Sequence, residues 1–137
     1  MQTIQLETAL QHVRPFMPKD EYKAIKTGLA GEESEYFAEK LQRLAELLKT
    51  MPRVYGQDGK GDQAIAYLHY FKGNMDWWIT ELDSSKEQHQ AFGLADIGYG
   101  GELGYISIVE IVTGGVELDL HWQPKTLAEI KQKHSTD

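Results

Sequence analysis

The sequence predicts an α+β fold: N-terminal helices, then an antiparallel β-meander of about four strands, then a short C-terminal helix. Three observations predict it. Phe37, Leu41, Leu44, Leu48 and Met51 recur at spacings of four and three residues, the period of one helix face. From Ala64 onward, runs rich in aromatic and branched residues take over, as strands require. Between those runs lie stretches of glycine, asparagine and aspartate, the chemistry of turns. The 137 residues read as one domain, with a helical part over 1–52 packing on a sheet part over 63–137.

The elements follow in order. Leu6, Leu10 and Val13 keep a helical period behind Thr3, a suitable N-cap. Pro15 and Pro18 interrupt it, and Pro18-Lys-Asp-Glu opens a second helix that Gly28 and Gly31 close. The third helix starts among Glu32, Glu33 and Glu35, acids suited to the positive end of its dipole, and Pro52 stops it. Its stripe is too short for a coiled coil and is expected to pack on the sheet. Tyr55-Gly-Gln-Asp-Gly-Lys-Gly-Asp62 reads as a flexible connector. It lacks the closing acid of a calcium loop, and Gly59-Lys60 lacks the following Ser or Thr of a phosphate-binding loop.

Residues 63–72 are apolar on both alternating faces, which predicts a central strand covered on both sides. Lys72-Gly73-Asn74 turns it into a second strand over 76–82. After the polar turn Asp83–Glu87, a third strand spans 89–97, and Gly98-Tyr-Gly-Gly101 breaks it. Residues 105–113 fit a strand by propensity, yet Ser107 and Glu110 fit a capping box. Val116–Trp122 alternates as a last strand, and Thr126 caps a helix reaching about Lys133.

Composition narrows the function. There is no cysteine, which excludes disulfides and thiolate chemistry. The N-terminus has no signal pattern and no apolar run approaches a membrane span, so a cytoplasmic, soluble protein is expected. A net charge of −7 argues against a broad nucleic-acid surface; the basic residues are spread along the chain, with one concentration at Lys125, Lys131 and Lys133.

Four motifs carry a resemblance: Trp78-Ile-Thr-Glu-Leu-Asp83, Ala91-Phe-Gly-Leu-Ala-Asp96, Glu102-Leu-Gly-Tyr-Ile-Ser107 and Glu117-Leu-Asp-Leu-His-Trp122. In order and spacing they resemble a bacterial family catalogued as domain of unknown function 2958, over residues 64–127. The resemblance implies a gene of plasmids, integrative elements and phages. It also implies a helical turn at 107–113. It brings no catalytic residue. The proline common before Glu-Leu-Gly-Tyr in the family is here Gly100-Gly101.

Candidate chemistry centres on the carboxylates. Glu81 and Asp83 share a strand face, as do Glu117 and Asp119. With Asp96, Glu102 and His121, Glu81 and Asp83 make the catalytic set of an enzyme reading, a small hydrolase or metal-dependent enzyme. That reading requires three of the groups in one cleft. Turn chemistry explains Asp83 and Asp96 without any enzyme. His69 and His121 can meet across strands, though satisfied structural histidines are the commoner case. No cofactor is expected, and Glu102 is not expected to hold a metal. Trp77 and Trp78 must face opposite sides of the sheet, one in the core. The other, if exposed, would join Tyr99 and Glu102 as a contact patch, while Tyr105 is expected in the core beside Trp78.

The function expected from this reading is that of a non-enzymatic accessory protein of a mobile genetic element. It binds another protein, for example to inhibit a host defence system such as restriction or CRISPR.

Overall fold

The computed structural model describes residues 3–135. Helices α1 (Thr3–Val13), α2 (Lys19–Leu29) and α3 (Ser34–Thr50) come first. Then follow β1 (Ile65–Ala66), β2 (Leu68–Lys72), β3 (Met75–Glu81), β4 (Ala91–Asp96) and β5 (Gly101–Ile106). Helix α4 (Ile108–Thr113), β6 (Glu117–Leu118), β7 (Lys125–Thr126) and α5 (Leu127–Ser135) complete the order. The expected α+β architecture is present, with five strands in the main sheet, ordered β5-β4-β3-β2-β6 and antiparallel throughout.

The α3 stripe works as the period requires: Leu41, Leu48 and Met51 are buried, and Phe37 and Leu44 pack at the margin. Arg53 closes the helix by donating to the Met51 and Leu48 carbonyls at 2.9 and 3.1 Å. Helix α2 does not end at Gly28 as its sequence predicts but runs through it. A β-carbon there would lie 2.4 Å from the Phe37 ring, so this glycine serves the packing of α2 on α3.

Two cores enclose the sheet. On one face Leu68, Tyr70, Ile79 and Ile106 join Val13, Phe16, Leu41 and Leu48. On the other, Trp78 and Leu94 pack with Leu127 and Ile130 of α5 and with Ala64 and Ala66. Tyr70 is fully buried; its hydroxyl donates to the Phe16 carbonyl at 2.6 Å, and burial pushes its pKa well above the ordinary value.

The β2–β3 hairpin closes through Gly73 and Asn74, with Gly73 at φ +59, the placement of a type II′ turn. Ser107 caps α4 by accepting from the Glu110 N–H, so the helical alternative for 107–113 is the one adopted. Thr126 caps α5, as the sequence predicts, and Glu129 returns the bond to the Thr126 N–H.

Several expectations need correction. The run 63–72 divides: β1 leaves the main sheet to pair with β7, and only β2 continues in it. The strand that follows the glycine loop and carries Tyr105, β5, begins within the break, at Gly101. The last strand is two residues long, because the Asp119 carboxylate folds back to the His121 N–H at 2.9 Å and turns the chain. The connector 55–62 is anchored by Gln57, whose buried amide accepts from the Ile65 N–H and donates to the Ile65 and Thr80 carbonyls.

Two measurements test this packing. Gly93 and Gly104 face each other across β4 and β5. A β-carbon at Gly93 would meet the Trp78 carbonyl oxygen at 1.9 Å, whereas one at Gly104 meets nothing within 4 Å. Gly93→Ala is therefore expected to cost about 3 kcal/mol in urea denaturation, and Gly104→Ala close to nothing. Equal losses would show that the strand crossing is misplaced.

Glu21 of α2 accepts from the Leu118 N–H at 2.8 Å and so holds β6 against the helices. Burial raises its pKa from 4.5 to about 7, with Glu117 and Asp119 adding to the rise and the Leu118 hydrogen bond opposing it. The folded chain thus holds the proton more tightly than the unfolded chain. The protonated group's contribution is fully present below about pH 4.5 and is lost as pH rises through about 7. Glu21→Gln is expected to match the native chain in denaturation at pH 4 and to exceed it by about 2 kcal/mol at pH 8. The same difference at both pH values would remove Glu21 as the cause.

Candidate protein-binding edge

The sheet ends on β5, which pairs with β4 and with no other described strand. Antiparallel pairing satisfies one side of a strand, and alternate N–H and C=O groups of β5 therefore point outward. The sequence of this edge is short of the usual protections. Gly101, Leu103 and Tyr105 are exposed, Leu103 at 47% and Tyr105 at 55%. Glu102 is the one charged residue on it.

Tyr105 thus corrects the expectation of a core residue beside Trp78. It stands opposite Phe92, which meets it edge-on with ring centroids 5.6 Å apart. Trp78 lies opposite Leu94, two residues further along β4. Both are on the α5 side of the sheet, but α5 packs on Trp78 and Leu94 and reaches toward the Tyr105 end only with its first residue, Leu127. At the Tyr105 end the cover is the 55–62 loop, and Tyr55 (68% exposed) meets the Tyr105 hydroxyl at 2.7 Å. That hydrogen bond is the main cause of a raised Tyr105 pKa.

Behind these rings is a cleft of about 230 Å³ between the 55–62 loop, β3, β4 and β5. Leu103, Phe92 and Leu127 give it apolar walls. Glu81 lies in it, buried, accepting from the Gln57 N–H at 3.2 Å and the Thr80 hydroxyl at 3.0 Å. A bulge at Thr80 shifts the register between Ile79 and Glu81 and turns the carboxylate toward the cleft.

The other residues singled out from the sequence are dispersed. Asp83 binds the Ser85 and Gln90 N–H groups, each at 3.0 Å, and the Ser85 bond is the leading cause of its lowered pKa. Asp96 accepts from the Gly98 N–H at 2.9 Å at the far end of β4. It lies four residue steps along β4 from Phe92, the partner of Glu81, which amounts to about 13 Å. Glu102 stands exposed on β5, and His121 lies beyond β6 with its ring nitrogen 3.5 Å from the Tyr36 hydroxyl. Glu81, Asp83, Asp96, Glu102 and His121 do not share a cleft, and no three metal-ligating groups converge among the described residues. Trp77 is half-buried against the helical core, away from Tyr99, which is 93% exposed on the β4–β5 turn.

A separate polar cluster centres on His69. Its Nδ1 lies 2.9 Å from Asp119 Oδ2 and its Nε2 2.8 Å from Asp76 Oδ1. The ring stacks on Trp78 at 5.5 Å and 14°, and Trp122 covers it at 5.1 Å. The carboxylates occupy opposite ends of the imidazole and leave no common point for a metal. His69 and His121 do not pair. Sequence spacing gives no sign of the cluster: Asp76 is 7 residues from His69 and Asp119 is 50.

The model of one protein family, described as a protein of unknown function (DUF2958), matches residues 38–129. No curated protein and no solved structure matches the chain. No helix among the described residues is long and apolar enough to cross a membrane.

Tyr105→Ala is expected to lower stability by about 1 kcal/mol, since a half-exposed ring leaves little buried area behind. His69→Ala is expected to cost about 3 kcal/mol, because it leaves the part-buried Asp76 and Asp119 carboxylates without the ring nitrogens they face and Trp78 and Trp122 without their filler. Thermal unfolding of both variants would decide. A larger loss at Tyr105 than at His69 would reverse the assignment of buried and open surface.

Proposed function

We propose that this chain, which belongs to the DUF2958 family, acts by binding another protein, whose extended segment adds a strand to the free edge of β5. The observation that carries the reading is the edge itself. It combines outward backbone groups with exposed Leu103 and Tyr105, and Tyr55 and Tyr99 flank it. Main-chain hydrogen bonds supply affinity in strand addition, and alternate side-chain pockets supply selectivity. The cleft beside Leu103 and Phe92 is such a pocket. Exposed tyrosines suit the role, since they offer large contact area with few rotatable bonds.

The wider role is that of a non-enzymatic accessory protein of a mobile genetic element, with a host protein, such as a component of a restriction or CRISPR system, as the partner. The resemblance in the strand motifs motivates this wider role, and the acidic net charge of −7 suits a partner with a basic surface.

The test is capture of partners from a host lysate by the native chain and by a Leu103→Lys, Tyr105→Lys double variant. Lysines on an edge oppose strand addition while leaving the β4 pairing intact. The expected result is a set of proteins retained by the native chain and lost by the variant, with both chains equally folded by circular dichroism. Retention of the same set by both would sink the β5 reading.

A further inference from the structure

In a chain of net charge −7, four cations gather on one cleft: Arg14, Lys19, Lys23 and Lys26. The cleft measures about 770 Å³ and lies between α2 and α4, with the 14–17 segment and the β3–β4 loop at its ends. Lys19, Lys23 and Lys26 fall on one face of α2 because they are four and three residues apart. Arg14 reaches the same place from the turn before the helix. Its guanidinium sits 5.6 Å from the Tyr22 ring centre, and the Lys26 ammonium sits 5.9 Å from it.

None of the four makes an ion pair among the described residues. Glu87 is the one acid on the cleft wall. The floor is apolar, built from Met17, Tyr22, Val109 and Val112. This surface is separate from the β5 edge, and the inference does not depend on it.

Unpaired cations around an apolar floor select an anion with an apolar body. We propose that the cleft binds an acidic, amphipathic segment of a partner protein, its carboxylates meeting the α2 lysines and its apolar side chains seated on Val109 and Val112. Charge complementarity is local here and opposite in sign to the rest of the chain, which restricts the site to a short segment. A nucleic-acid strand fits less well. The Tyr22 ring already carries Arg14 and Lys26, so its face is not open to a base, and the remaining acidic surface would repel a long polyanion.

The experiment is fluorescence anisotropy with three labelled probes: a short peptide of Glu and Leu, a polyglutamate of equal charge, and a single-stranded oligonucleotide. The native chain is compared with a Lys19→Gln, Lys23→Gln, Lys26→Gln variant, whose exposed substitutions keep the helix. The Glu/Leu peptide is expected to bind tightest, to weaken with salt, and to lose about tenfold in affinity in the variant. Equal affinity for native chain and variant would overturn the proposal. So would polyglutamate binding as tightly as the Glu/Leu peptide, which would deny the apolar floor, or tightest binding by the oligonucleotide. Light scattering that shows a native dimer turned monomeric in the variant would assign the cleft to a second copy instead, and would overturn it too.

Discussion

Both ring nitrogens of His69 face carboxylates, and the far side of the sheet takes its order from that contact. β6 is two residues long and cannot define its own place by ladder bonds. Asp119 supplies what is missing. Its backbone N–H donates to the His69 carbonyl at 2.9 Å and its carboxylate holds the His69 ring. Asp76 ties the same ring to β3. Trp122 then covers the imidazole and donates its indole N–H to the Ala66 carbonyl at 3.0 Å, which brings the chain back toward β1 and β7. Helix α5 follows directly, so the second core over Trp78 and Leu94 inherits its position from one histidine.

The loops are held by the same kind of contact, a buried amide in place of an apolar plug. Gln57 fixes the 55–62 loop to β1 and β3. Gln88, buried at φ +57, accepts from the Asp83 N–H and donates to the Asp83 and Ser85 carbonyls. Its own carbonyl receives the Ile108 and Val109 N–H groups at the start of α4. A buried amide left half-satisfied would be costly, so these hydrogen bonds hold both loops against the sheet. Tyr55 at the β5 edge stands on the first of these loops, and the second forms one end of the basic cleft.

What the sequence discloses follows the range of the interaction. Helix α3, the Ser107 cap and the Thr126 cap depend on neighbours within one or two turns, and their spacing is visible in the chain. The turn roles of Asp83 and Asp96 are visible for the same reason. β5 is harder to see, because glycines at 98, 100, 101 and 104 mask a strand that its pairing with β4 creates. Tyr105 misleads because alternation gives the face a residue occupies but not where a covering helix ends. The His69 cluster joins residues from β2, β3 and the turn after β6, and no local pattern marks it. The α2 lysines were within reach: their spacing puts them on one face, and only the arrival of Arg14, Val109 and Val112 makes that face a cleft.

The bulge at Thr80 has a meaning for how the strand is encoded. Up to Ile79 the odd-numbered residues of β3 face the helices and the even-numbered ones face α5. After Thr80 the parity reverses: Leu82 enters the helical core and Glu81 the opposite cleft. The motif Trp78-Ile-Thr-Glu-Leu-Asp83 therefore contains two reading frames joined at a threonine, whose hydroxyl stitches the join to the Phe92 carbonyl at 3.1 Å. Any comparison of such strands by simple alternation assigns one half of the motif to the wrong side of the sheet.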